Sequence, residues 1–460
     1  MFGKTAGEAL VDLLIDWGVE HIYGMPGDSI NSIIEALRKK QDKIKFIQVR
    51  HEEAGALAAA AYAKLTGKLG VCMAIAGPGA IHLLNGLYDA KLAINEAKKP
   101  VILAGKGTKH ARESLLALAE QIGAPIVLTL PAKGIIPDEH PLCIGGLGLI
   151  GTKPSYEAMK HADTLIMVGT SYPFTGFLPE KAKTIHIDTD PAQIGKRYAT
   201  DIGLAGDADK TLRWLIENVK EHTDHSFLEQ HQEMMKKWED KLHDQEEDSS
   251  IPIKPQRVMH ALQQVAHDDA ILSVDVGNVT VWTARHFRMT NQQFVISSWL
   301  ATLGCGLPGA LAGKIAFPDK QVFAVCGDGG FGMTMNDFVT AVKYKLPIVV
   351  VVLNNNKIAM IKFEQEVMGN IEFETDLTNP DFAKYAEACG GIGYRVENLD
   401  ELLPAFENAV KQNKPCIIDV VVDANEAPMP AKITFGQAAG YTKHMIKELF
   451  EEGKIDLPPL

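Results

Sequence analysis

Val322-Phe323-Ala324-Val325-Cys326-Gly327-Asp328-Gly329-Gly330, and further on Val349-Val350-Val351-Val352-Leu353-Asn354-Asn355-Asn356, are the two stretches that decide the fold. Each begins as a short apolar run rich in β-branched residues, so each reads as a strand. Residues 349–353 are apolar on both faces, as a central strand of a parallel sheet must be when helices cover both its sides. Asp328 and Asn355 stand 27 positions apart (355 minus 328). That interval has room for one helix, expected at 335–344, between two parallel strands, so the two polar residues can meet at neighbouring strand ends. Ligands of open α/β sheets bind outside the carboxyl ends of strands. Glycines there let backbone N–H groups approach a phosphate. A hard carboxylate and a neutral amide oxygen suit a magnesium ion on a diphosphate. Taken singly, Gly-Asp-Gly also makes an ordinary turn and Asn-Asn an ordinary loop; their pairing at this spacing is what points to a site.

The pattern continues outward. Residues 256–425 form one unit, with further strands expected at 270–274, 294–297 and 416–422. Residues 1–91 give a helix at 4–17, strands at 21–23, 45–49 and 70–75, helices at 29–39 (Asp28 as N-cap) and 52–66, and a last helix from about residue 80. Strands at 100–104, 125–128, 164–168 and 184–187 make a middle unit. A polar helical stretch, 215–250, ends in an acidic run at 244–248 that reads as a solvated face, and Ile251-Pro252-Ile253-Lys254-Pro255 reads as a linker. Strands alternating with helices imply parallel sheets. The expected fold is α/β with three domains, 1–91, 92–250 and 251–425, and a tail, 426–460.

Composition bounds the function. The 460 residues are 46% hydrophobic and 23% charged, with a net charge of −12. That surface repels nucleic acid, and no basic stripe overrides it. Six scattered cysteines without a CxxC pair read as reduced thiols. There is no cationic leader with an apolar block, and no apolar run reaches the roughly 18 residues of a spanning helix. A cytoplasmic protein is expected.

The GDGG…NN pattern resembles the signature of thiamine-diphosphate enzymes, and most of the chain resembles their pyruvate oxidase branch. The matching pieces are Tyr-Gly-Met-Pro-Gly-Asp (23–28), Gln-Val-Arg-His-Glu-Glu (48–53), Ala-Gly-Pro-Gly (76–79), Asn-Gly-Leu-Tyr-Asp-Ala (85–90), Leu-Pro-Ala-Lys-Gly (130–134), Ile-Asp-Thr-Asp-Pro (187–191) and Val-Asp-Val-Gly-Asn (274–278). The resemblance implies a three-domain fold that binds thiamine diphosphate, Mg2+ and FAD. It makes Asp328, Asn355 and the Lys357 carbonyl the metal ligands, Gly329 and Gly330 donors to the diphosphate, and Leu303, beside Thr302, the apolar wedge under the cofactor. Asn356, Ile358, Ala359, Met360 and Ile361 continue the cofactor segment. Glu52 would hydrogen-bond the aminopyrimidine ring, although at a helix start it is also a simple dipole partner. His82 and Glu364 would line the reaction centre. In the middle domain the FAD residues would be Gly105, Gly107, Gly148, Leu149, Ile150, Gly151, Gly169, Thr170, Ser171, Tyr172, Pro173, Asp188 and Asp207. Gly105-Lys106-Gly107 is not a full GxGxxG, since His110 stands at the third glycine.

The implied reaction is oxidative decarboxylation of pyruvate to acetate or acetyl phosphate and CO2, with a quinone or O2 as acceptor. An acetolactate synthase with structural FAD and a cofactor-holding remnant without turnover are the alternatives. The resemblance also implies a homodimer or homotetramer. The apolar stripe Met445-Ile446…Leu449-Phe450 offers either peripheral contact with the inner face of the membrane or packing on the protein itself. One departure stands out. After Lys91 the family pattern of the first domain breaks off, and the chain passes straight into the first helix of the FAD domain. A cofactor domain of this kind needs on the order of 150 residues, so the first domain is expected to be incomplete. A deleted gene, an engineered chain or omitted residues would each explain this.

Overall fold

The computed structural model describes residues 4–74, 85–428 and His444. His82, the Ala-Gly-Pro-Gly segment and the 445–450 stripe lie outside the described residues.

Three parallel sheets organise the chain. The first has the order β2-β1-β3, from β1 (His21–Gly24), β2 (Lys45–Gln48) and β3 (Val71–Met73). The second contains β4 (Pro100–Ala104), β5 (Ile126–Leu128), β6 (Cys143–Gly146), β7 (Thr164–Val168), β8 (Lys183–Asp188) and β9 (Ile202–Ala205), in the order β6-β5-β4-β7-β8-β9. The third contains β10 (Ile271–Val274), β11 (Gln293–Val295), β12 (Val322–Gly327), β13 (Val349–Asn354), β14 (Ile392–Val396) and β15 (Cys416–Val421), in the order β11-β10-β12-β13-β15-β14. The second and third sheets carry an apolar core on each face, as a parallel sheet covered by helices requires. The first has one small core built on Val11, Val19, Ile22, Ala36, Leu37 and Ile44.

Three strands escaped the sequence pattern, β6, β9 and β14, and each contains glycine. β9 is an edge strand that alternates buried and exposed residues. In β14, Gly393 is pressed so close to the Ala383 carbonyl that a Cβ would stand 2.0 Å from it. The expected helix at 335–344 is broken: a helix, Asp328–Thr334, starts directly after β12, a tight turn follows at Met335–Asp337, and Phe338–Lys343 completes it. Asp28 does not cap the second helix. It opens a 3-10 turn, and the helix begins at Asn31.

Two further expectations are corrected. The acidic run is not all solvated: Glu246, at the end of helix Ser226–Glu246, is 1% exposed. His286 lies 2.9 Å and Arg288 2.7 Å from its Oε1. A buried carboxylate is tolerable because cations and hydrogen bonds surround it. Nor is 251–255 a free linker, since Ile253 is fully buried and bridges Val422 beside β15. Helix Asn85–Glu96 buries Ala90 and Ile94 in the central core and packs on β9 and on helix Ala208–Asn218. It is thus structurally part of the middle domain.

Candidate active site

β12 and β13 pair in register, Gly327 opposite Leu353, so Asp328 and the three asparagines leave the sheet side by side. Asp328 is 2% exposed. Its Oδ1 accepts the Gly329 N–H at 2.9 Å, and its Oδ2 accepts from the Asn379 amide at 2.8 Å. Burial pushes the Asp328 carboxyl up to about 6, although these donors and the amides of Asn355 and Asn356 pull the other way. Such a carboxylate lacks positive charge, which a divalent cation would supply. Among the described residues no three carboxylates, histidines or cysteines cluster as a metal site. A cation here would therefore rest on one carboxylate and neutral oxygens, which suits magnesium.

Those neutral oxygens are at hand. The Asn355 side chain accepts the Lys357 N–H at 3.1 Å, fixing the turn. Asn356 takes a left-handed φ of 54°, which asparagine tolerates better than most residues. The bridge between Lys357 and Asp376 uses the Ile358 N–H and the Asn356 carbonyl, so neither bond occupies the Lys357 carbonyl. The Lys357 ammonium is matched by Glu372 and Asp376, both at 2.7 Å.

An open cleft of about 190 Å³ lies beside these residues. Leu303, Gly329, Gly330, Asn355 and Ile358, Ala359, Met360 and Ile361 line it, together with Trp282. Gly330 can only be glycine, because a Cβ would stand 2.5 Å from the Asp275 carboxyl and 3.1 Å from the Leu303 side chain. Thr302 is exposed, with its hydroxyl 3.1 Å from that of Ser297. Glu364 is exposed on helix Ala359–Val367 and does not line the cleft. Glu52 opens helix Glu52–Thr66 on the first sheet. Among the described residues no element of that sheet makes extensive contact with the third. Sequence reasoning missed Asn379, Asp275 and Trp282. Asn379 carried a signal, the turn-forming Asn379-Pro380 pair.

In the middle domain the strand order reverses between β4 and β7, the kind of switch point at which open α/β sheets bind ligands. The loops after these strands interlock: the Gly105 N–H donates to the Val168 carbonyl at 2.8 Å and the Gly107 N–H to Gly169 at 3.1 Å. A Cβ on Gly107 would stand 2.7 Å from the Gly169 Cα. Thr170 packs against Gly105 and Ser171 is buried, whereas Pro173 and Leu149 are exposed and Ile150 is half-buried. The Gly151 N–H closes a turn onto the Gly148 carbonyl at 3.0 Å. The Tyr172 hydroxyl abuts Gly148 and has no hydrogen-bond partner among the described residues. Such a buried orphan calls for a ligand or water. Asp188 accepts the Asp190 N–H at 2.9 Å. Asp207 caps helix Ala208–Asn218 through the Lys210 N–H, which accounts for it without a cofactor.

Three family models match in chain order: thiamine pyrophosphate enzyme, N-terminal TPP binding domain (4–120), central domain (87–215) and C-terminal TPP binding domain (275–420). The "putative thiamine pyrophosphate-containing protein YdaP" of Bacillus subtilis is 46% identical, with 100% of this chain and 99% of that one aligned. The chain belongs to the thiamine pyrophosphate enzyme family. The pyruvate oxidase of Lactiplantibacillus plantarum is 33% identical over 93% of this thiamine pyrophosphate enzyme and 90% of its own length. A probable acetolactate synthase large subunit of Methanococcus aeolicus is 28% identical over 94% of each. The alignment with the Bacillus relative runs over 567 positions against 460 residues here, which leaves 107 positions without a residue of this chain.

Proposed function

We propose that this enzyme oxidatively decarboxylates pyruvate to acetate or acetyl phosphate and CO2, using thiamine diphosphate, Mg2+ and FAD, and passes two electrons to a quinone or O2. The observation that carries the cofactor part is the buried Asp328 carboxyl beside Asn355 and Gly330, where a Cβ would come within 2.5 Å of the Asp275 carboxyl. Asp328, Asn355 and the Lys357 carbonyl would hold the magnesium, Gly329 and Gly330 the diphosphate, and Leu303 the underside of the rings. Bound thiamine diphosphate supplies an electron sink for the carbanion left by CO2. Glu52 would set the protonation of the aminopyrimidine from a second copy of the chain, which makes a homodimer or homotetramer the working form. The Gly105, Gly107 and Gly169 N–H groups already bond backbone carbonyls, so the orphaned Tyr172 hydroxyl is the group that supports FAD in this domain. The 33% identity with a pyruvate oxidase favours pyruvate and oxidation over acetolactate synthesis.

The 107 empty alignment positions support a second reading, an enzyme impaired by an internal gap. The gap is proposed to follow Lys91, because the first sheet has three strands and helix Asn85–Glu96 already belongs to the middle domain. Anaerobic mixing with pyruvate tests the proposal. Bleaching of the flavin absorbance is expected. Acetolactate formed over an unchanged flavin would refute oxidation, and neither product nor bleaching would leave a cofactor-holding remnant.

A further inference from the structure

Asp275 follows β10 directly and is 0% exposed. Its Oδ1 accepts the N–H of Val276 and that of Gly304, both at 2.8 Å, and the amides of Cys305 and Gly306 also face the carboxyl. Its Oδ2 is buried with no hydrogen-bond partner among the described residues and lies where a Cβ on Gly330 would come within 2.5 Å. One side chain therefore touches three segments at the cleft: the end of β10, the turn carrying Leu303, and the glycine-bearing start of helix Asp328–Thr334. Gly304 has a left-handed φ of 90°, so its turn is held through its backbone. Its N–H bonds to Asp275 and its carbonyl accepts from Thr334 at 3.2 Å. The Leu303 side chain, one residue earlier, reaches to 3.1 Å of the same Gly330 position. Burying a carboxyl with one oxygen unmatched costs free energy that loop packing alone does not require.

We propose that Asp275 is a positioning residue that sets the height of Leu303 over the diphosphate loop, so that the cleft accepts the thiamine rings as well as the diphosphate. The proposal rests on the thiamine diphosphate reading of the cleft, and two probes separate the failure of one from the failure of the other. Magnesium pyrophosphate engages only the Asp328 side of the cleft, whereas thiamine diphosphate with magnesium also needs the wedge.

Both are titrated calorimetrically into the full chain. Asp275→Ala is expected to lose about tenfold in affinity for thiamine diphosphate, the size of one hydrogen bond to a charged group, and clearly less for magnesium pyrophosphate. Asp275→Asn keeps the shape and an acceptor for Gly304, so it should fold even if the alanine variant does not. It is expected to show the same split with a smaller loss. Leu303→Ala should reproduce the split, and adding Asp275→Ala to it should cost little more, because both remove one wedge. Equal losses for both probes, or no loss for either, in the variants that fold would overturn the positioning role. A wild-type chain that binds neither probe overturns the cofactor reading and this inference with it.

Discussion

Replacing Asp328 by asparagine should reverse its effect on stability according to whether the cofactor is present. In the cofactor-free protein the carboxyl is raised from 3.8 to about 6, so its ionised form is disfavoured by about 3 kcal/mol at neutral pH. Asparagine removes that charge. It also turns a donor toward the Asn379 amide or breaks the Gly329 contact, at a cost of about 1–2 kcal/mol. The net gain is about 1 kcal/mol, or roughly 2–4 °C in melting temperature for a domain of this size. The folded value lies above the unfolded one, so protonation favours the native state. That contribution is complete below about pH 4 and is lost as pH rises through about 6. The advantage of the variant over the wild type should therefore be full above about pH 6, vanish near about pH 5 and turn into a deficit near about pH 4, where only the lost hydrogen bond remains. Adding magnesium and thiamine diphosphate inverts the order: at a hundred times the dissociation constant the wild type gains about 2.7 kcal/mol and the variant gains little. Thermal unfolding of both proteins across pH, with and without cofactor, checks this. A variant less stable than the wild type without cofactor at pH 7.5 would show that the carboxylate is a structural tie, and would refute its assignment as a metal ligand.

Glu246→Gln should destabilise the junction of the second and third domains by about 1–2 kcal/mol, because half-buried Arg288 keeps Glu239 but loses its second carboxylate and buried His286 exchanges a charged acceptor for a neutral one; limited proteolysis around residues 247–254 reads the loosening. Burial holds His286 below its usual value. For Glu246 burial raises the carboxyl, but hydrogen bonds from His286 and Arg288 outweigh it and hold it low. Both groups thus contribute stability above their unfolded values and lose it as pH falls, so the junction should open in acid, starting below about 6.5. Gly330→Ala should cost about 1–3 kcal/mol by overpacking against Asp275 and abolish thiamine diphosphate binding, whereas Gly332→Ala, which meets nothing within 4 Å, should be tolerated. If Glu52 serves a neighbouring copy, mixing Glu52→Ala with Asp328→Ala chains after subunit exchange should restore about a quarter of the activity, the statistical share of intact sites. No recovery would place both groups within one chain.

The third domain was legible because its central strands are unmistakable: Val349-Val350-Val351-Val352 permits no amphipathic helix, and the 27-residue interval fixes which strand ends meet. The strands that escaped carry glycine where another segment presses close, the Thr152 side chain at Gly145, the Ile194 side chain at Gly203 and the Ala383 backbone at Gly393, and that pressure is tertiary. Glu246 misled for a related reason. Within the sequence it belongs to an acidic run, and only the approach of His286, the last residue of helix Asn278–His286, and of Arg288 just beyond it makes its burial tolerable. Asp275 was quoted only as part of a motif, and its unmatched oxygen becomes visible only when Gly330 and Gly304 are placed beside it. Asn379 lies 51 positions from Asp328, beyond any local pattern. Glu52 and Asp328 were legible as residues but not as partners, since they belong to different sheets.

Calorimetric titration of thiamine diphosphate into the full chain, with and without magnesium, tests the central claim most directly. Saturable binding that requires the metal and disappears in Asp328→Ala is the expected result. Binding that is indifferent to magnesium, or that survives the loss of Asp328, would contradict the account.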